Sequence, residues 1–370
     1  MIKLVDISFH ANNEYANTDE LLEAQQASLL YAESIKNKVQ LSFIKHITSK
    51  GTRIIEKDHF NFFISKNKPG YISSATINHL KKLQPDIIFV HGLIFPLQVI
   101  RLRMILGKKC KIVAWHHADR PWKWPKKILQ QWADKYITRY LFTSSQNAVE
   151  WLDAGIIADE KKINEIPSTL TLFTPQNKEE SKRKLHMGAG PNYLWVGRLD
   201  KVKDPITVLA GFEKFLFNTP SAKLHMIYQS GELLESVEQR MEQQPELKDN
   251  ILLHGKVPRQ ELEVWFSAAD FLISGSHREA GSVVVLEAMA CGCVPIVTKI
   301  PASLKVTGDG EYGLHYDVGN ADELAKVLAF SATMAPLAFS KKAVAHFQKE
   351  YSVASVARKL FDLCVELTGE

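Results

Sequence analysis

Residues 270–298 read DFLISGSHREAGSVVVLEAMACGCVPIVT, and this stretch decides the fold. The apolar run Phe271–Ser274 reads as a strand and gives way to a Gly/Ser loop. Val283–Ala290 carries a helical pattern, and Val294–Thr298 is a second β-branched run. Two strands joined through a helix must pair in parallel, because only a crossover of this length returns the chain to the same edge of a sheet. A parallel sheet in turn needs helices on its faces.

The same rhythm extends outward in both directions. Towards the C-terminal half, strands are expected at Asn192–Val196, Lys223–Tyr228 and Asn250–Leu253. Helices are expected at Pro205–Phe217, Leu233–Gln243, Arg259–Ala269 and Ala321–Ala332. In the first half the strand candidates are Ile2–Ser8, Gln40–Ile44, Asp86–His91, Lys111–His116 and Tyr140–Ser144, with a first helix over Asp19–Lys38. After Ser168 the pattern breaks into a polar stretch. The expected organisation is a first domain over 1–172, a linker over 173–190, a second domain over 191–352, and a C-terminal helix within 353–370 that packs back across the domains. The fold class is α/β: two doubly wound Rossmann-like domains facing an interdomain cleft, the usual place for a ligand outside the carboxyl ends of the strands.

Composition narrows the classes. At 370 residues, 45% hydrophobic and 24% charged, the chain can bury a core, which excludes disorder, collagen-like repeats and coiled coil. Four cysteines and the absence of a basic-then-apolar leader point to a cytoplasmic protein without a disulfide framework. The most apolar window, 86–106, is broken by polar and basic residues and falls short of the roughly 20 apolar residues of a membrane span. Residues 1–190 hold 28 Lys and Arg against 18 Asp and Glu, leaving 18 against 23 for the rest, so the net charge of +5 divides into +10 and −5. A basic half suits an anion or an anionic surface. No nucleic-acid recognition motif accompanies it.

Three constellations carry chemistry. The first is GRLDKVKDP, Gly197–Pro205, directly after a strand. Asp204 suits a helix N-cap and Pro205 the first helical position, which places Arg198 and Lys203 beside the free N–H groups of a helix N-terminus. A guanidinium fork and an ammonium there suit a diphosphate. The second is the pair Glu279 and Glu287. On one continuous helix they would stand about 80° and about 12 Å apart, but Gly281 breaks that register and leaves Glu279 on the loop, so the two carboxylates reach different ends of an elongated ligand. The helix N-terminus near Ser282–Val284 offers N–H groups between them. The third is AWHHADRP, in which His116 and His117 must face opposite sides of their strand, so one of them meets the ligand. The GDGEYG run at 308–313 lacks the strand–helix context of a dinucleotide loop, and Cys291–Cys293 lacks zinc-ligand spacing.

These motifs resemble the retaining glycosyltransferases of the GT-B fold often labelled group 1. The likeness rests on VGRLDKVKDP, WFSAADFLISGS, EAGSVVVLEAMACGCVPIVT and GLHYDVGNADELAKVL in the second half, and on HHAD and LFTSSQNAVEWL in the first. It implies transfer of a sugar, hexosyl in type, from a nucleotide-diphosphate sugar to a hydroxyl of a saccharide or lipid-linked saccharide, with retention and without metal or other cofactor. Such transfer would serve cell-surface polysaccharide or glycolipid biosynthesis. By resemblance Arg198 and Lys203 hold the diphosphate, Glu279 lies near the transferred sugar, and Glu287 binds the ribose hydroxyls. Gly197, Ala280, Gly281, Ser282 and Val283 line the donor, and His117, preferred over His116 because IVAW matches the family's strand, lies near the donor sugar. Alternatives are a nucleotide-sugar epimerase or hydrolase, and a noncatalytic nucleotide-sugar-binding protein. Two departures stand out: the loop after the first strand, FHANNEYANTD, has no glycine, and Asp204 replaces a common Gly. The Trp- and Lys-rich segment Arg120–Tyr140 suits the inner face of an anionic membrane, which implies a cytoplasmic protein held peripherally there.

Overall fold

The computed structural model describes residues 1–12, 26–47, 52–57, 60–66, 72–168, 170–229 and 231–369. The chain forms two compact units, one of Met1–Leu170 with Val353–Glu370 and one of Thr171–Ser352.

The first unit is built on an eight-stranded sheet. Its strands are β1 (Ile2–Asn12), β2 (Val39–Ile47), β3 (Thr52–Lys57), β4 (Phe60–Lys66), β5 (Ile87–His91), β6 (Lys111–Trp115), β7 (Ile137–Phe142) and β8 (Ile163–Glu165), in the order β3-β4-β2-β1-β5-β6-β7-β8. All pairings are parallel except β3 with β4, which pair antiparallel at one edge. From β1 the chain goes to β2 on one side and, later, to β5 on the other, which makes the β1/β5 boundary the switch point of this sheet. The interior alternates cleanly: Leu4 and Phe89 belong to one apolar cluster, while Val5, Ile88 and Val90 belong to the other.

The second unit has six parallel strands: β9 (Asn192–Gly197), β10 (Lys223–Tyr228), β11 (Ile251–Gly255), β12 (Phe271–Ser274), β13 (Val294–Thr298) and β14 (Leu314–Tyr316). Their order, β11-β10-β9-β12-β13-β14, is that of a doubly wound dinucleotide-type domain. The switch point lies between β9 and β12, whose pairing stops at Tyr193↔Phe271 and Leu194↔Leu272. The last residues of these two strands are therefore not paired with one another.

Residues 173–190, expected as a linker, are instead part of the second unit. The Thr174 and Gln176 amides donate to Glu263 Oε1 (2.7 Å) and Ser267 Oγ (3.0 Å). Lys178–Lys184 is a helix whose Lys178 and Lys182 pair with Asp270 at 2.7 and 3.5 Å. The last helix, Val353–Thr368, belongs to the first unit: Val356, Leu360, Leu363 and Cys364 are buried with Tyr31, Ala32 and Ile35 of the helix Gln26–Ile35. Its moderately apolar face allowed either partner, and the N-terminal helix took it. The first helix begins at Gln26 among the described residues. The expected start of that helix at Asp19, and most of the glycine-free loop, lie outside them.

Candidate functional site

The two loops at the switch point of the second unit bring most of the expected residues together. Asp204 caps the helix Pro205–Leu216 by accepting from the Thr207 amide at 3.1 Å, with Pro205 at the first helical position. It adopts a left-handed conformation (φ 43°), which explains why glycine is common in its place. His277 Nε2 lies 2.8 Å from Asp204 Oδ2, and the His277 amide donates to the Val202 carbonyl at 2.8 Å, so the 198–204 and 275–282 loops are stitched together. Gly275 permits that approach: a Cβ there would stand 2.9 Å from the Asp204 carbonyl oxygen, 3.1 Å from that of Lys203 and 3.0 Å from Val208 Cγ2.

Lys203 runs over Gly197, where an added Cβ would meet its Cγ at 3.6 Å, and forms an ion pair with Glu279. Glu279 also accepts from Ser276 Oγ at 2.8 Å. The carbonyls of this loop are fixed from behind, since Thr298 Oγ1 donates to the Ser276 carbonyl (2.5 Å) and Tyr316 OH to that of Ser274 (3.0 Å). Arg198 is 62% exposed and its Nε lies 2.9 Å from Asp200 Oδ2, leaving it able to swing onto an anion. Ser282, also left-handed (φ 47°), precedes the helix Val283–Cys291. Among the described residues its buried Oγ has no hydrogen-bond partner, an orphan at the positive end of a helix dipole. Lys203 and Glu279 thus pair on loops that lead into the helices beginning at Pro205 and Val283, whose N-termini suit a phosphate-bearing ligand.

Glu287 lies apart from that cluster. It is 1% exposed, on the inward side of its helix, rather than an ordinary exposed helical glutamate. Burial raises its carboxyl pKa, and the guanidinium of Arg259, with which it forms an ion pair, opposes the rise. Arg259 in turn lies over the Phe173 ring, 5.3 Å from its centroid. Neither Arg259 nor Phe173 was foreseen, because one lies at the start of a segment read only as a helix and the other in a segment read as a linker.

In the first unit the two histidines separate as strand geometry requires. His116 is buried and stacks on Phe142 (4.7 Å between centroids), while His117 turns to His91, its Nε2 lying 2.7 Å from His91 Nδ1. Burial, with His91 and His116 nearby, holds the His117 pKa well below the usual imidazole value. His91 Nε2 lies 2.8 Å from Asp6 Oδ2, and Asp6 also receives Lys45 (3.1 Å) and Tyr31 OH (2.7 Å). Asp6 and His91 are functional candidates that sequence reading missed, although a carboxylate inside the apolar run IKLVDISF was a visible signal. The GDGEYG run forms a single 3-10 turn at Gly308–Gly310 ahead of β14. Among the described residues no group of three or more His, Cys, Asp and Glu side chains is arranged to hold a metal ion.

Two doubly wound units of this kind define the GT-B class, and the fold likeness agrees. Sucrose-phosphate synthase from Thermosynechococcus elongatus superposes with a TM-score of 0.77 at 17% identity, covering 100% of both chains. Anabaena HepE in complex with UDP-glucose superposes with a TM-score of 0.74 at 12% identity, covering 99% of this chain and 100% of that one. The family described as glycosyl transferases group 1 matches residues 176–335, which lie within the second unit. Among curated relatives, D-inositol 3-phosphate glycosyltransferase of Arthrobacter sp. (strain FB24) is 28% identical over 43% of this chain and 38% of its own length. Its counterpart from Streptosporangium roseum is 23% identical over 57% and 51%. The chain thus spans about half or less of the length of these relatives.

Proposed function

We propose that this chain is a retaining glycosyltransferase that moves a sugar from a nucleoside-diphosphate sugar to an acceptor hydroxyl, without a metal. The observation that carries the reading is the Lys203–Glu279 pair beside the helix N-terminus at Ser282, at the switch point of a group 1 domain. Lys203 and Arg198 neutralise the diphosphate and stabilise the charge it gains as the sugar departs, work that preorganised cations do without solvent reorganisation. The bond from the anomeric carbon to the phosphate oxygen breaks with its electron pair going to phosphate. The acceptor oxygen bonds to that carbon from the same face, and its proton passes to the leaving phosphate oxygen. Glu279 orients the transferred sugar, Glu287 takes the ribose hydroxyls, and Gly197, Ala280, Gly281, Ser282 and Val283 surround the donor; in the first unit, His117 is read as a sugar-facing residue.

The acceptor is read as a saccharide or lipid-linked saccharide, in surface polysaccharide or glycolipid assembly at an anionic membrane. The exposed face of the first unit supports this: Trp124 is 75% exposed, Ile128 51% and Trp132 49%, beside Lys123, Lys126 and Lys127. Among the described residues no helix is long and apolar enough to cross a membrane.

The test is a panel of UDP-, GDP- and ADP-sugars, scored by thermal stabilisation and nucleotide release, for the wild type and Lys203→Ala. One donor should stabilise the wild type and release its nucleotide, and the variant should lose that release. If no donor binds the wild type, the noncatalytic alternative takes its place; nucleotide release with a free or epimerised sugar as the final product supports a hydrolase or epimerase.

A further inference from the structure

The chain of groups from buried Asp6 through half-buried His91 to His117 is more than a way of satisfying polar atoms. We propose that Asp6 and His91 are positioning residues that fix the tautomer of His117, so that its Nδ1 is the bare, accepting nitrogen offered to a hydroxyl of a bound saccharide. That a saccharide is what His117 meets rests on the function proposed above; the relay itself does not.

The direction of the relay follows from what each group can do. Burial alone would raise the Asp6 pKa, but His91 and Lys45 outweigh it and hold the carboxyl far below its ordinary range. An ionised carboxylate only accepts, so His91 Nε2, 2.8 Å away, must carry the proton of that contact. In a neutral ring the other nitrogen, Nδ1, is then bare and accepts. It faces His117 Nε2 at 2.7 Å, which must donate. His117 Nδ1 is left as the acceptor, the same logic by which a carboxylate orients a metal-binding or catalytic imidazole.

The surroundings fix each ring in this sequence. His91 stacks on Trp115 with ring planes 17° apart and centroids 5.4 Å apart. Lys45 and Tyr31 donate to Asp6 as well, so the carboxylate is held in one orientation towards His91. The turn after His117 is held in place: Ala118 is left-handed (φ 61°), and Asp119 Oδ2 accepts from the Leu93 amide at 2.7 Å. Left-handed backbone at a non-glycine residue is strained, and such strain collects where a side chain must be aimed.

Long-range proton–nitrogen correlation spectra of the full chain, labelled at its 13 histidines and assigned by loss of a signal in His117→Gln, read the tautomer without any ligand. The wild type should show His117 protonated at Nε2 and bare at Nδ1. His91→Ala, which leaves the Asp6–Lys45 pair intact, should convert His117 to a mixture of tautomers. His91→Gln, whose amide can donate to Asp6 and accept from His117, should restore the single form. A proton on His117 Nδ1 in the wild type overturns the proposal, as does a tautomer unchanged in His91→Ala. Because no sugar is present, either result stands apart from the donor panel, which tests the function.

Discussion

Replacing Gly275 by alanine should damage the donor loop from a distance. The added Cβ would stand 2.9 Å from the Asp204 carbonyl oxygen and 3.1 Å from that of Lys203, where ordinary contact begins at 3.4 Å. Both are backbone atoms, so the 203–204 segment must retreat by about 0.5 Å rather than a side chain rotating away. Overpacking of this kind costs about 1–3 kcal/mol. In a unit of this size each kcal/mol lowers Tm by about 2–4 °C, so calorimetry should show the second unit melting about 2–12 °C lower. Lys203 moves with its backbone, and since a displacement near 1 Å can cost about a hundredfold, nucleoside diphosphate should bind roughly tenfold more weakly by titration calorimetry. Gly188 is the control, because an added Cβ meets nothing within 4 Å. If Gly275→Ala matches Gly188→Ala in both Tm and affinity, the two loops are not coupled through this contact and the reasoning fails.

Three further expectations concern charge and surface. Arg259→Met removes the cation that opposes burial at Glu287, so that carboxyl should rise further; a group raised in the folded state stabilises at low pH and loses that contribution as pH rises, and Tm should fall from pH 5 to pH 8 more steeply than in the wild type. Burial lowers His225, beside His254, to about 4, so it is neutral in the folded state and protonated in the unfolded chain below about 6.5. Stability should therefore decline as pH falls from about 6.5 to about 4, by roughly 3 kcal/mol in all, and His225→Gln should flatten that decline in an acid-titration melt. Trp124→Ala with Trp132→Ala should reduce pelleting with anionic but not neutral liposomes; equal loss on both, or no binding by the wild type, refutes the membrane-facing reading.

Much of the second unit was legible because its signals are local, although the helix Pro336–Glu350 was not expected. Each strand there is a compact apolar run, each helix has its periodicity, and the caps at Asp204 and Gly292 are written at the element ends. The Lys223–Tyr228, Phe271–Ser274 and Val294–Thr298 strands lie where the pattern puts them. Short or atypical elements escaped: β14 has three residues, β8 three, and the β3–β4 hairpin edge lies in a polar, charge-rich stretch. At the site, Lys203, Glu279 and Ser282 were legible because motif spacing places them on neighbouring loops. Arg259 and the Asp6–His91 contact were not, because they join positions 28 and 85 residues apart. Only the sheet order brings such residues together, and that order is a tertiary property.

We read Lys203 as the group that holds the diphosphate at the β9/β12 switch point, in exchange for Glu279. Titration calorimetry of the best-binding nucleoside diphosphate among UDP, GDP and ADP, against the wild type, Lys203→Ala and Glu279→Gln, tests it most directly. The account predicts at least tenfold weaker binding for Lys203→Ala and tighter binding for Glu279→Gln, because removing the carboxylate frees the ammonium for phosphate. Equal affinity in all three proteins would contradict it.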